Sequence, residues 1–125
     1  MSEIVEVPVR DANENDQLSG YIGSVSYYKY LCGTQLTDGS KAAAELYECF
    51  WFLDIIASIQ YMPEVHAEGF QVFKLERVKD DHFKVTMEDG NDNVIYTQNI
   101  AYSDFKDDIL TLWVVDKIIM LPTEY

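Results

Sequence analysis

The sequence predicts an α+β domain: one long buried helix packed on a twisted antiparallel meander of about four or five strands. Three observations lead there. No Gly or Pro interrupts the apolar run from Ser40 to Tyr61. After Gly69 the hydrophobic period changes from about 3.6 to about 2. Turn residues then separate a series of short apolar runs.

Residues 1–17 read as a flexible or loosely attached N-terminal segment, with Ile4, Val5, Val7 and Val9 as a short extended piece. A single α+β domain is expected over 18–125. From Ser19 to Gly39, glycines punctuate a tyrosine-rich stretch in which Tyr27–Leu31 suits either a strand or a short helix. Thr37-Asp38-Gly39 turns the chain into the helix, and Asp38 or Ser40 can cap it. At about 100° per residue Lys41, Glu45 and Glu48 share one wet stripe, and Leu46, Phe50, Leu53 and Ile56 lie on the apolar remainder. Met62-Pro63 ends the helix, since proline cannot continue it. Glu64–Gly69 is a linking loop. Strands are expected over Phe70–Val78, His82–Met87 and Val94–Ile100, followed by a hairpin-like pair over Ile109–Val115 and Lys117–Leu121. Phe50, Leu53, Ile56, Val72, Phe83, Val85, Ile95, Leu112 and Val114 should form the core.

Composition narrows the function classes. A hydrophobic content of 48% with 14% aromatics excludes a disordered acidic tail. Glu45, Glu48 and Asp54 interrupt the only run approaching a membrane span. The N-terminus lacks a basic flank and an apolar signal core, so a cytoplasmic protein is expected. Cys32 and Cys49 lack CxxC spacing and are expected to be buried and reduced. Twenty-two acids against nine bases give a net charge of −13. Direct binding to DNA, RNA or an anionic membrane is thereby disfavoured, and a basic protein partner is suited.

Candidate chemistry is sparse. Asp54 lies inside FWFLDIIAS, roughly opposite Glu45, with Ser58 one turn later. A carboxylate in that company needs Tyr, Trp or backbone donors, or it lines a pocket as a base or ligand anchor. Asp54 and Ser58 alone make no nucleophile system. His66 and His82 have no partner at motif spacing. Glu88–Asn93 resembles a calcium loop, but counting from Asp89 puts Ile100 where a bidentate glutamate is needed, so a hairpin turn fits better. No Cys or His cluster suits zinc, and no phosphate-binding glycine motif is present. No metal or other cofactor is expected. The acids Asp80, Asp81, Asp89, Asp92, Asp107 and Asp108 fall on predicted turns that project them clear of the core.

The motifs GSVSYYKY, LTDGSKAAAE, FWFLDIIASIQ, FQVFKLE, VIYTQNIAYSDF after the DGN turn, and IIMLPTEY resemble those of domain of unknown function 6876, a bacterial family. Members similarly show YTDG, WLLDxIAS, FQxWKL, YTDFP and LPSEY. The resemblance covers about Leu18 to Tyr125. This chain departs from it at Phe50-Trp51-Phe52 and at Lys106, where proline usually follows the aromatic. The resemblance marks Asp54, Ser58, Asp104 and Glu124 as recurrent motif positions and implies an association with phages and mobile elements. It supplies no mechanism.

The expected function is a small acidic, non-enzymatic interaction protein. It would act as a phage or mobile-element inhibitor, a nucleic-acid mimic of the anti-CRISPR or other anti-defence type, on a basic nucleic-acid-binding partner. A homo-oligomer is compatible with this reading. The alternative is a small enzyme or ligand-binding domain with its pocket around Asp54 and Ser58.

Overall fold

The computed structural model describes residues 26–125. The segment 1–17 and the extended piece around Ile4–Val9 lie outside the described residues.

Strands β1 (Tyr27–Lys29) and β2 (Gln35–Thr37) come first. Helices α1 (Asp38–Leu46), α2 (Phe50–Ser58) and the single turn α3 (Pro63–His66) follow. Strands β3 (Phe70–Lys79), β4 (His82–Glu88), β5 (Val94–Ile100), β6 (Ile109–Val115) and β7 (Ile118–Met120) complete a seven-stranded sheet, in the order β1-β2-β7-β6-β3-β4-β5. β2 pairs parallel with β7, and every other pair is antiparallel. These findings correct the expected architecture. The fold is strand-dominated and the sheet is mixed, with short helices in place of one long helix on a four- or five-stranded meander. The strand segments from β3 to β7 stand where the alternation placed them, but they do not form the expected meander: β6 pairs with β3 and not with β5. Strand β1 falls within the stretch that suits a strand or a short helix, whereas β2 is unexpected, its three residues being too few for a period to register.

The expected Ser40–Tyr61 helix is broken at Tyr47–Cys49. Glu48 adopts a left-handed φ of 53°. Its N–H donates to the Glu45 carbonyl (3.3 Å), and the Cys49 N–H donates to that of Ala44 (2.9 Å). This is a Schellman closure with glutamate where glycine is usual.

One face of the sheet presents Phe73, Leu75, Phe83, Val85, Leu112 and Val114 to buried Phe52, Leu53 and Ile56 of α2. Of the expected core, Phe50 and Ile95 are only partly buried, packing against its margin. Cys49 is buried, which pushes its thiol pKa up to about 12. Cys32, expected inside, is exposed, and both thiols are free.

The start of α1 gathers a dense cluster of hydrogen bonds. Thr37, not Asp38 or Ser40, is the N-cap, forming a reciprocal capping box with Ser40. Ser40 Oγ also donates to the Ile119 carbonyl of β7 (2.7 Å). Into this corner folds the C-terminal turn Pro122–Glu124. Glu124 Oε1 accepts from Thr37 Oγ1 (2.6 Å) and from the Leu121 N–H (2.9 Å). Its Oε2 accepts from the Gly39 N–H (2.9 Å). The carboxylate thus satisfies an orphan donor at the positive end of α1. Burial raises its pKa, outweighing the three hydrogen bonds that lower it, and neighbouring Asp38 raises it further. Gly39 is required here for space: a Cβ would lie 2.5 Å from Glu124 Oε1 and 2.7 Å from Leu121 Cδ1.

Two outcomes are expected. Glu48→Gly should raise the midpoint of urea unfolding by relieving the left-handed strain, whereas in a continuous helix it would cost about 1 kcal/mol. Glu124→Gln should cost about 1–3 kcal/mol at neutral pH, because an amide N–H₂ would face the Gly39 N–H. The pH trend has a fixed sign. With its folded pKa raised, Glu124 binds more protons in the folded chain than in the unfolded one between the two values. Its contribution to stability is therefore greatest below the ordinary glutamate range and falls as pH rises through the raised value. Urea titrations of both proteins should show the Glu124→Gln deficit widening as pH falls through that window.

Candidate functional site

The antiparallel topology sorts the turn acids into two groups. Asp80 and Asp81 join β3 to β4, and Asp104, Asp107 and Asp108 lie between β5 and β6, at the same end of the sheet. Asp89 and Asp92 join β4 to β5 at the other end, with Asp116 between β6 and β7. The two ends stand about 23 Å apart at about 3.3 Å per residue.

Arg77 assembles the first group. It sits on the core parity of β3, but at the strand's end, so its guanidinium covers the Phe83 ring at 4.6 Å. It donates from Nε to Asp108 Oδ1 (3.0 Å), and from Nη2 to the carbonyls of Phe105 and Asp107 (3.1 Å each). Nη1 donates to the Asp80 carbonyl. The Ser103 N–H donates to the Asp81 carbonyl (2.9 Å), which fastens the same two loops together. Asp80, Asp104 and Asp108 remain exposed on this frame. His82 Nδ1 lies 3.2 Å from Asp81 Oδ1. Asp107 is partly buried and accepts from Tyr47 Oη (3.3 Å).

At the far end Asp89 is occupied by its own turn. It accepts from the side chain and backbone of Asn93 and from the Asn91 N–H (2.8 Å), and the Asn93 side-chain bond leads in holding its pKa below the usual carboxylate value. Asp92 is exposed at a left-handed φ of 68°. The calcium-like spacing is a hairpin turn. Among the described residues no three His, Cys, Asp or Glu side chains are placed to hold a metal ion.

Asp54 and Ser58 are exposed, because the break at Glu48 resets the helical phase and turns that side of α2 to solvent. Tyr30 Oη donates to Asp54 Oδ1; partial burial, then this carboxylate, raises the phenol's pKa. Ser58 Oγ donates to the Ile55 carbonyl (2.9 Å), so its proton is held by the helix backbone. Ser58 lines an open depression of about 340 Å³ with Cys32, Tyr61 and Lys117, and Asp54 is not among its lining residues. An adjoining depression of about 220 Å³ shares Gln60, His66 and Lys117 with it. Sequence reasoning missed this groove. It forms where Asp116 and Lys117 make a tight turn with left-handed φ of 52° and 64°, without the glycine or asparagine that marks such turns in a sequence. The recurrent position Glu124 is buried in the capping corner, while Asp104 is exposed. Among the described residues no helix is long and apolar enough to cross a membrane.

Arg77→Ala should cost about 2 kcal/mol, since four acceptors lose one charged donor. Amide exchange should quicken first at Asp80 and across 105–108, ahead of the central strands.

No curated protein and no solved structure matches the chain. The model of a family of unknown function, DUF6876, matches residues 12–125. The chain belongs to that family.

Proposed function

We propose that the protein is a non-enzymatic binding module that offers a preformed acidic surface to a basic protein partner. One observation carries this reading. The topology and Arg77 together hold Asp80, Asp81, Asp104 and Asp108 at one end of the sheet, on a chain of net charge −13. Backbone contacts, not the carboxylates alone, fix these loops, so the charge is presented without an ordering cost on binding. A partner that ordinarily holds DNA or RNA has the matching basic face. Occupying that face would inhibit it by competition, as a mobile-element inhibitor does. Long-range attraction would act mainly on the association rate and would be screened by salt.

The test uses a fluorescent lysine-rich peptide as probe. Asp80→Lys, Asp81→Lys and Asp104→Lys combined should weaken binding several-fold more than Glu45→Lys, Glu48→Lys and Glu64→Lys combined. Both sets change the net charge equally. The difference should shrink as salt rises from about 50 mM to about 500 mM. Equal losses from the two sets, or an affinity flat with salt, would remove the acidic end from the function.

A further inference from the structure

The two edges of the sheet are unequal. Strand β1 has three residues and carries Lys29, features that blunt an edge against pairing. Strand β5 has seven, and among the described residues it pairs on one side only, with β4. Its sequence, VIYTQNI, contains no charge, proline or glycine. Alternate N–H and C=O groups of such a strand point away from its neighbour. Among the described residues, backbone hydrogen bonds outside the ladder stop at Asn93 and resume at Ser103, leaving this row open.

What lies at the two ends of β5 indicates what would cover it. Exposed Asp92 precedes Val94. Beyond Ile100 a shallow, open depression of about 280 Å³ is lined by Trp51, Ile100, Tyr102, Ser103 and Asp104. Two aromatic side chains beside an exposed carboxylate suit a guanidinium, which stacks on rings and pairs with carboxylate in one pose. We propose that β5 accepts an added strand from a basic partner: an extended, uncharged β-forming segment with an arginine that settles in the Trp51–Asp104 depression and a second basic residue near Asp92. This rests on the acidic-surface reading above and gives it a binding mode. Main-chain pairing supplies the affinity, and the flanking charges set the register. A second copy of the chain is the poorer occupant. Antiparallel pairing of two β5 strands would bring Asp92 of each near Asp104 of the other, between molecules that each carry −13.

The experiment titrates the protein with a synthetic peptide, Arg-Thr-Val-Thr-Val-Thr-Val-Thr-Lys, and with two versions N-methylated at alternate amides. The parent should bind saturably. One methylated version, blocked along the pairing edge, should bind about tenfold more weakly or not at all, and the other should bind nearly as the parent does. Trp51→Ala with Asp104→Asn should lower affinity for the parent about tenfold and have little effect on a peptide whose arginine is replaced by alanine. Methylation leaves the protein unaltered, so misfolding cannot imitate the result. Equal binding of all three peptides with steep salt dependence would overturn strand addition and leave the acidic-surface reading standing. Salt-independent binding that methylation still weakens would remove the acidic reading and the flanking-charge part of this one. Failure of the parent to bind, or a concentration-dependent dimer abolished by Thr97→Lys, would overturn the proposal, the latter by assigning the edge to a second copy.

Discussion

A buried carboxylate organises this fold. Glu124 accepts from Thr37, Gly39 and Leu121, and so joins the start of the first helix to a turn far along the chain. The capping box of Thr37 and Ser40 also reaches Ile119 of β7. Helix, sheet and C-terminal turn therefore meet at one buried polar point. An unpaired carboxylate there would be costly, and its compensation needs all three elements in place at once. The parallel β2–β7 pair lies beside this corner and fixes where the N-terminal strands join the rest of the sheet.

Much of the sheet was legible in the sequence. From β3 to β6 each strand has enough residues for alternation to register, and the turns between them carry charged or Asx signals. The helix was legible as apolar but not as broken, since Glu48 adopts its left-handed φ without glycine or proline to announce it. That single residue explains a second misreading. A continuous helix sets Asp54 opposite Glu45, inside the protein; the interruption brings Asp54 and Ser58 to the surface together. The capping corner was hidden for another reason. TDG and LPTEY each look like ordinary local motifs, and their meaning lies in a contact across 87 positions that no periodicity reports.

The candidate surface was partly legible. Acids on turns can be assigned to sheet ends once the strands are known, because strands that alternate in direction along the chain send alternate turns to opposite ends. The role of Arg77 could not be read, since its parity assigns it to the core while its position at the end of β3 frees its guanidinium for the loops. Nor could the inequality of the two edges, which depends on strand order.

The corner at Glu124 also constrains when the molecule can form. The first helix cannot complete its N-terminal bonding, nor β2 its parallel pairing, until the segment from Ile118 to Glu124 has been synthesised and has returned across the sheet. During synthesis β3, β4 and β5 can pair early, since each is joined to the next by a short turn, whereas β6 returns to β3 across 33 to 45 positions. The helices would meanwhile sit against these strands without their anchor. Such long-range closure slows folding and prolongs the exposure of apolar surface before the corner forms.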